Sequence, residues 1–309
     1  RREGEDMRRT PLSREWADRG LAPGWQAING NKRSLTLDLS KSEAIEIVRK
    51  LAAEADVVME NFRPGVMDKL GIGYAALSEI NPRLIYCAIS GFGQSGPQRL
   101  APGYDGKIQA MSGIMAITGH PETGPTRAGF AVCDVLSGAT AAFGVSSALF
   151  QRNQTGKGQL VDVSMLEATL AFLSGQIADY SVAGHKQQLS GNQAVSRRPT
   201  ANLFKAGDGY ILLAVNTEKQ YIALMTALGC EDTFDDPRFS DWFERQKNEP
   251  ALRAIIEQKL ATKSPREWET LLEAAGAPCA SIWKVEEVMD HPQVQARGAI
   301  QEIDTPYGR

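Results

Sequence analysis

The sequence predicts an α/β protein, with a parallel sheet in a large first domain and a smaller α+β domain after it. Three observations carry this. Short apolar, β-branched segments alternate with helical-period segments through the first half. Composition then turns polar and basic over residues 187–200 (QQLSGNQAVSRRPT). Beyond that break come a hairpin signal, three helices and a last short strand. With 309 residues, 42% hydrophobic and 23% charged, the chain has material for about two such cores. The same figures exclude a disordered chain, a collagen-like fibre and a disulfide mini-protein.

The elements follow in order. Ser34–Asp38 (SLTLD) alternates like a strand, and Ser42–Ala55 sets Ala44, Ile45, Ile47, Val48, Leu51 and Ala52 on one side at helical period. Asp56–Glu60 (DVVME) is a β-branched strand. Short helices are predicted at Val66–Leu70 and Tyr74–Ile80, and Leu84–Ile89 is a further strand. Strand–helix–strand repetition predicts parallel pairing. Residues 107–119 and 132–151 read as buried, small-residue helices. Leu160–Met165 leads from a strand into a helix ending near Ala183. Asn202–Lys205 and Tyr210–Val215 flank Ala206-Gly207-Asp208-Gly209 as a hairpin. Helices are predicted over 217–228, 250–262 and 265–276, the last opened by the capping box Ser264-Pro265-Arg266-Glu267. A strand near Cys279–Trp283 follows, and residues 298–309 resemble the start of another. The domains are thus 1–190 and 200–290, with 291–309 beginning a return to the large domain.

The composition also narrows the chemistry. A net charge of −3 without a basic block gives no footprint for nucleic acid. Cys87, Cys133, Cys230 and Cys279 are scattered, which fits a reducing cytosol, and His120, His185 and His291 lack ligand spacing, so no metal is expected. The charge-free run 135–151 is 17 residues long and rich in small residues, so a packing helix is expected there and no membrane span.

Ligands of parallel sheets sit beyond the carboxyl ends of the strands. Asn61-Phe62-Arg63-Pro64-Gly65 falls there. Its amide, aromatic ring and cation suit an anionic, ring-bearing ligand, although an ordinary exposed turn reads equally well. Lys69 is a second candidate phosphate contact. Gly91-Phe92-Gly93-Gln94-Ser95-Gly96 matches G-x-G-x-x-G, but Pro97 and Pro102 stand where a dinucleotide-binding helix must run. A backbone-exposing loop beside a ligand is the better reading. Asp162 and Glu167 flank a strand-to-helix junction, where a carboxylate can attack an activated carbonyl or simply cap the helix.

Four ordered segments together resemble the family III coenzyme A transferases, the carnitine and bile-acid CoA-transferase group. They are ENFRPG (60–65), SGFGQSGP (90–97), PGYD (102–105) with Gln109 and Ser112-Gly113, and GKGQLVDVSMLEA (156–168). The likeness runs from Arg1 to the end of the chain. It implies a Rossmann-like large domain, a smaller α+β domain and an interlocked homodimer in which each chain threads through the other. It also implies further segments before residue 1 and after residue 309.

The resemblance implies CoA contacts at Arg1, Leu37, Asn61, Phe62, Lys69 and Leu70, and substrate contacts at Tyr104 and Gln109. A lysine usual in the family near position 40 is here Ser40, with Lys41 beside it. Glu167 holds the place where the family nucleophile is typically aspartate. The implied activity is CoA transfer from an acyl-CoA to a free carboxylic acid through a mixed anhydride and an enzyme–CoA thioester. CoA enters as substrate and no permanent cofactor is implied. Backbone amides of a glycine-bearing loop near Gly191 are the expected oxyanion donors. No dense glycine loop stands there, which disfavours formate and oxalate. The related α-methylacyl-CoA racemases place a histidine where Tyr104 stands and an aspartate at Asp162. That racemase reading and a non-catalytic acyl-CoA-binding protein are the two alternatives.

Overall fold

The computed structural model describes residues 4–10 and 13–302. The chain divides into two units, residues 1–115 with 127–187, and 116–126 with 188–309.

In the first unit two short helices, α1 (Arg14–Arg19) and α2 (Pro23–Ala27), precede an irregular stretch over residues 32–38. The strand expected at Ser34–Asp38 does not form. Its apolar alternation is real, but none of its residues pairs in a ladder among the described residues, and an unpaired strand has little stability of its own. The helix α3 (Ser42–Glu54) turns Ala44 and Ala52 inward. It is followed by β1 (Val57–Glu60), α4 (Val66–Lys69), α5 (Tyr74–Ile80) and β2 (Ile85–Ser90). Leu77, Ile72, Leu84 and Tyr86 pack with Ala52 into one core. Next come α6 (Asp105–Ser112), α7 (Ile114–Ile117) and, beyond residues 116–126 of the second unit with the two-residue strands β3 (Gly119–His120) and β4 (Gly124–Pro125), α8 (Val132–Thr155). The unit closes with β5 (Gln159–Ser164), α9 (Met165–Phe172) and α10 (Ser174–Ala183). The sheet order is β1-β2-β5, all parallel, with Ala88 opposite both Glu60 and Asp162. Those three carboxyl ends therefore lie side by side.

The helix α8 was expected to be buried. Only one stripe is: Cys133, Ser137, Ala141, Ala148 and Arg152 face inward, at helical spacing. A Cβ on Gly144 would stand 2.9 Å from Val161, so glycine lets the helix lie close against β5. Its opposite side leaves Val135, Phe143 and Phe150 exposed. By length and composition α8 could cross a membrane, with 22% of its most apolar window buried.

In the second unit β3 and β4 pair antiparallel, and Gly191 N–H donates to Gly119 C=O at 2.9 Å. That bond and hairpin put residues 116–126 in this unit, inside what the sequence reading treats as the large domain. The strands β6 (Ala201–Ala206) and β7 (Gly209–Ala214) form the expected hairpin. Helices α11 (Glu218–Ala227), α12 (Trp242–Lys247), α13 (Glu249–Leu260) and α14 (Pro265–Ala275) lead to β8 (Cys279–Ser281), which pairs with β7. Helices α15 (Val285–Met289) and α16 (Pro292–Ala296) follow. Residues 298–302 form no strand, and 303–309 lie outside the described residues. The capping box at Ser264 and Glu267 forms in both directions.

Arg245 is buried and stacks on Tyr221, and both its terminal nitrogens reach Glu218, at 2.6 and 2.7 Å. Hydrogen bonding from Arg245 holds the Glu218 carboxyl below its ordinary value of 4.5. Stability from a lowered carboxylate is present above 4.5 and fades as pH falls through the lowered value. The Glu218 side chain is half-exposed, so solvent screens the pair, and Glu218→Gln is expected to cost no more than about 1 kcal/mol at pH 7. Thermal midpoints measured from pH 7 to pH 3 should show the gap from wild type closing in acid.

Candidate active site

The ends of β1 and β2 and the loop before α6 surround an open cavity of about 310 Å³ in the first unit. Asn61, Phe62, Arg63, Arg99 and Tyr104 line it, with the backbone of residues 90–91 and 101–103. Each wall has a local cause. Glu60 ends β1 buried, and its carboxylate accepts from Phe62 N–H at 2.6 Å, which turns the chain sharply. Burial pushes the Glu60 carboxyl up, partly opposed by that amide. Asn61 Nδ2 donates to Ile89 C=O on β2 at 2.7 Å, and Phe62 is left half-exposed. On the far side, Gly103 meets Gly91 backbone to backbone. A Cβ on Gly103 would lie 2.5 Å from Gly91 Cα, and one on Gly91 2.7 Å from Gly103 Cα. Lys107 Nζ braces this loop by donating to Pro102 C=O at 3.0 Å, 4.9 Å from the Phe92 ring centroid. Two guanidinium groups and no acid line the cavity, so it favours an anion.

The glycine loop is stitched to the junction that carries Glu167. Gly93 N–H donates to Ser90 Oγ at 3.0 Å, and Gln94 N–H to Asp162 Oδ2 at 3.0 Å. Leu166 N–H donates to Gly91 C=O at 3.2 Å. Ser164 caps α9 by accepting from Glu167 N–H at 3.2 Å. Glu167 thus sits in the first helical turn with its carboxylate exposed to solvent, where the helix dipole favours a negative charge. Ile108, Cys133 and Met165 pack beneath, with Phe92 and Leu166 against them. Burial disfavours the thiolate form of the four cysteines. Burial pushes Cys87, Cys133 and Cys230 up, and Cys279 to about 12.

The residues singled out from sequence fall unevenly. Asn61, Phe62 and Tyr104 line the cavity. Lys69 ends α4 exposed, while Leu70 packs against the first unit's core. Leu37 is half-buried in the irregular stretch 32–38, away from any described ladder. Arg1 lies outside the described residues. Gln109, expected against substrate, is fully buried. Its Nε2 donates to Asp105 Oδ2 at 2.7 Å and its Oε1 accepts from Ala128 N–H at 3.0 Å. Asp105 in turn accepts from Cys133 N–H at 2.9 Å and from Arg127 at 3.3 Å. Gln109 therefore braces the start of α6 from inside the unit. Gly191, the expected oxyanion donor, has its N–H engaged by Gly119. Sequence reading missed Arg99, whose only signal was a cation three residues past Gly96. It also missed Glu60, which is legible only as the acid preceding Asn61.

The fold and this site define an α/β unit with an anion-favouring cavity at its strand ends, and comparison with known proteins assigns the family. A family model described as CoA-transferase family III matches residues 1–309. The chain is 38% identical over 274 residues to an acetyl-CoA:oxalate CoA-transferase of Acetobacter aceti, covering 88% of this chain and 70% of the relative. It is 35% identical over 284 residues to a succinate–glutarate CoA-transferase of Agrobacterium fabrum, covering 92% and 71%. A solved CAIB/BAIF family protein from Brucella suis superposes with a TM-score of 0.79 at 37% identity, covering 86% of this chain and 70% of that one. This chain belongs to CoA-transferase family III.

Proposed function

We propose that the protein moves CoA from an acyl-CoA donor to a free carboxylic acid, with Glu167 as the nucleophile. The observation that carries this is the exposed Glu167 carboxylate in the first turn of α9, tied through Leu166 and Gly91 to the wall of a cationic cavity. A Glu167 oxygen attacks the thioester carbonyl, forming a mixed anhydride and expelling CoA thiolate. The thiolate attacks the Glu167 carbonyl of the anhydride, releasing the donor acid and leaving an enzyme–CoA thioester. The acceptor carboxylate attacks that thioester, giving a second anhydride and free thiolate. Thiolate attack on the acceptor's carbonyl then yields the new acyl-CoA and restores Glu167. In this reading Phe62, Arg63 and Arg99, which line the cavity, hold the nucleotide end of CoA by its ring and its phosphates.

The Acetobacter relative is named for oxalate. Oxalate therefore belongs among the acceptors to be tried, against the expectation drawn from the missing dense glycine loop. The test uses acetyl-CoA or succinyl-CoA with a panel of free acids that includes oxalate and glutarate, and follows thioesters by chromatography and mass spectrometry. The expected result is a new acyl-CoA that depends on the acceptor. Deuterium exchange at the acyl α-carbon without transfer would instead favour the racemase reading, against which Tyr104 stands. CoA binding with neither reaction would favour the non-catalytic binding protein.

We further infer a homodimer that covers the exposed Val135, Phe143 and Phe150 side of α8. Sedimentation equilibrium at twice the chain mass is the expected result. The unpaired cysteines support a cytosolic location.

A further inference from the structure

The route through Glu167 needs a hydrogen-bond donor for the oxygen that becomes negative when the thioester carbonyl is attacked. Four backbone donors around the junction are engaged: Gly93 by Ser90, Gln94 by Asp162, Leu166 by Gly91 and Glu167 by Ser164. Gly191 is engaged by Gly119. One polar group on the loop differs. Gln94 Nε2 is buried and has no hydrogen-bond partner among the described residues. Leaving a buried amide donor unpaired costs about 1–3 kcal/mol, so such a group calls for an explanation, of which a catalytic role is one. The Gln94 backbone is meanwhile held firmly by Asp162 at 3.0 Å, on the same strand-to-helix junction that presents Glu167. The terminal torsion of glutamine is soft, so the amide can turn toward a ligand oxygen while its backbone stays fixed.

We propose that Gln94 is a catalytic residue whose side-chain amide donates to the acyl oxygen during attack by Glu167. The proposal rests on the transferase reading above. The donor is a side chain, in place of the backbone amides expected from sequence. Asp162 then acts as a positioning residue that sets the loop carrying the donor.

The test compares wild type, Gln94→Met and Gln94→Glu, the first of which keeps the length and removes the donor. Three quantities are read: kcat with acetyl-CoA or succinyl-CoA, the Kd for free CoA by calorimetry, and the thermal midpoint. Gln94→Met is expected to lower kcat about 100-fold. CoA affinity should stay within about threefold of wild type, because the donor meets the acyl group and not the nucleotide. The thermal midpoint should hold or rise, since a buried unpaired polar group has been replaced by an apolar one. Gln94→Glu should lose kcat similarly. A kcat for Gln94→Met within threefold of wild type would overturn the proposal. So would a kcat loss accompanied by an equal loss of CoA affinity or a lowered midpoint, which would show a structural role. If wild type itself transfers no CoA, the functional reading fails and this proposal with it. If wild type turns over and Gln94→Met matches it, only this proposal fails.

Discussion

Glu167→Gln is expected to lower kcat by at least about 10⁴-fold, while the Kd for free CoA stays within about threefold of wild type. The amide keeps the size and the helical position but has no oxygen able to form an anhydride. Its backbone N–H still meets Ser164, so α9 keeps its cap. Glu167→Asp distinguishes two further possibilities. It shortens the side chain by one methylene, withdrawing the reacting oxygen by about 1 Å, which is worth about 100-fold in rate in a site spaced for glutamate. Steady-state kinetics with saturating acyl-CoA would show that loss. A gain of activity in Glu167→Asp would mean that the loop and helix are spaced for the aspartate usual at this position.

Gly103→Ala should be the most damaging single substitution in the cavity wall. The new Cβ would stand 2.5 Å from Gly91 Cα, and both neighbours are backbone, so neither can swing aside. Relief requires the 101–104 and 90–91 segments to separate, which carries Tyr104 and the wall of the cavity with them. Overpacking of this kind costs about 1–3 kcal/mol, and here it falls on the binding site itself. The expected result is an unfolding free energy lowered by that amount and a Kd for CoA raised at least about tenfold. Gly91→Ala should behave alike, since its Cβ would lie 2.7 Å from Gly103 Cα. A Gly103→Ala protein with unchanged CoA affinity would show that this wall does not hold CoA.

Periodicity and turn chemistry made most of the local elements legible, because each is decided within a few residues. β1, β2, α3, the β6–β7 hairpin and the capped start of α14 all fall where the pattern places them. The failures need knowledge of distant partners. Ser34–Asp38 alternates like a strand, but whether a ladder forms depends on a neighbour the local pattern does not supply. The small apolar run of α8 reads as a buried packing helix, while the fold buries one stripe of it. Asn61, Phe62 and Tyr104, singled out by their motifs, line the cavity. The Gly91–Gly103 contact, the internal brace at Gln109 and the loss of the Gly191 N–H to Gly119 are all long-range pairings. Nothing in the residues themselves announces them.

The most direct measurement of the covalent route is intact mass spectrometry of the protein after incubation with acetyl-CoA or succinyl-CoA, with Glu167→Gln alongside. The expected result is an adduct of CoA on the wild type alone, mapped by digestion to the peptide containing Glu167 and removed by adding an acceptor acid. An adduct that persists in Glu167→Gln would move the nucleophile elsewhere, with Asp162 the next carboxylate to test. Turnover in the wild type with no adduct under any donor would contradict the enzyme–thioester route.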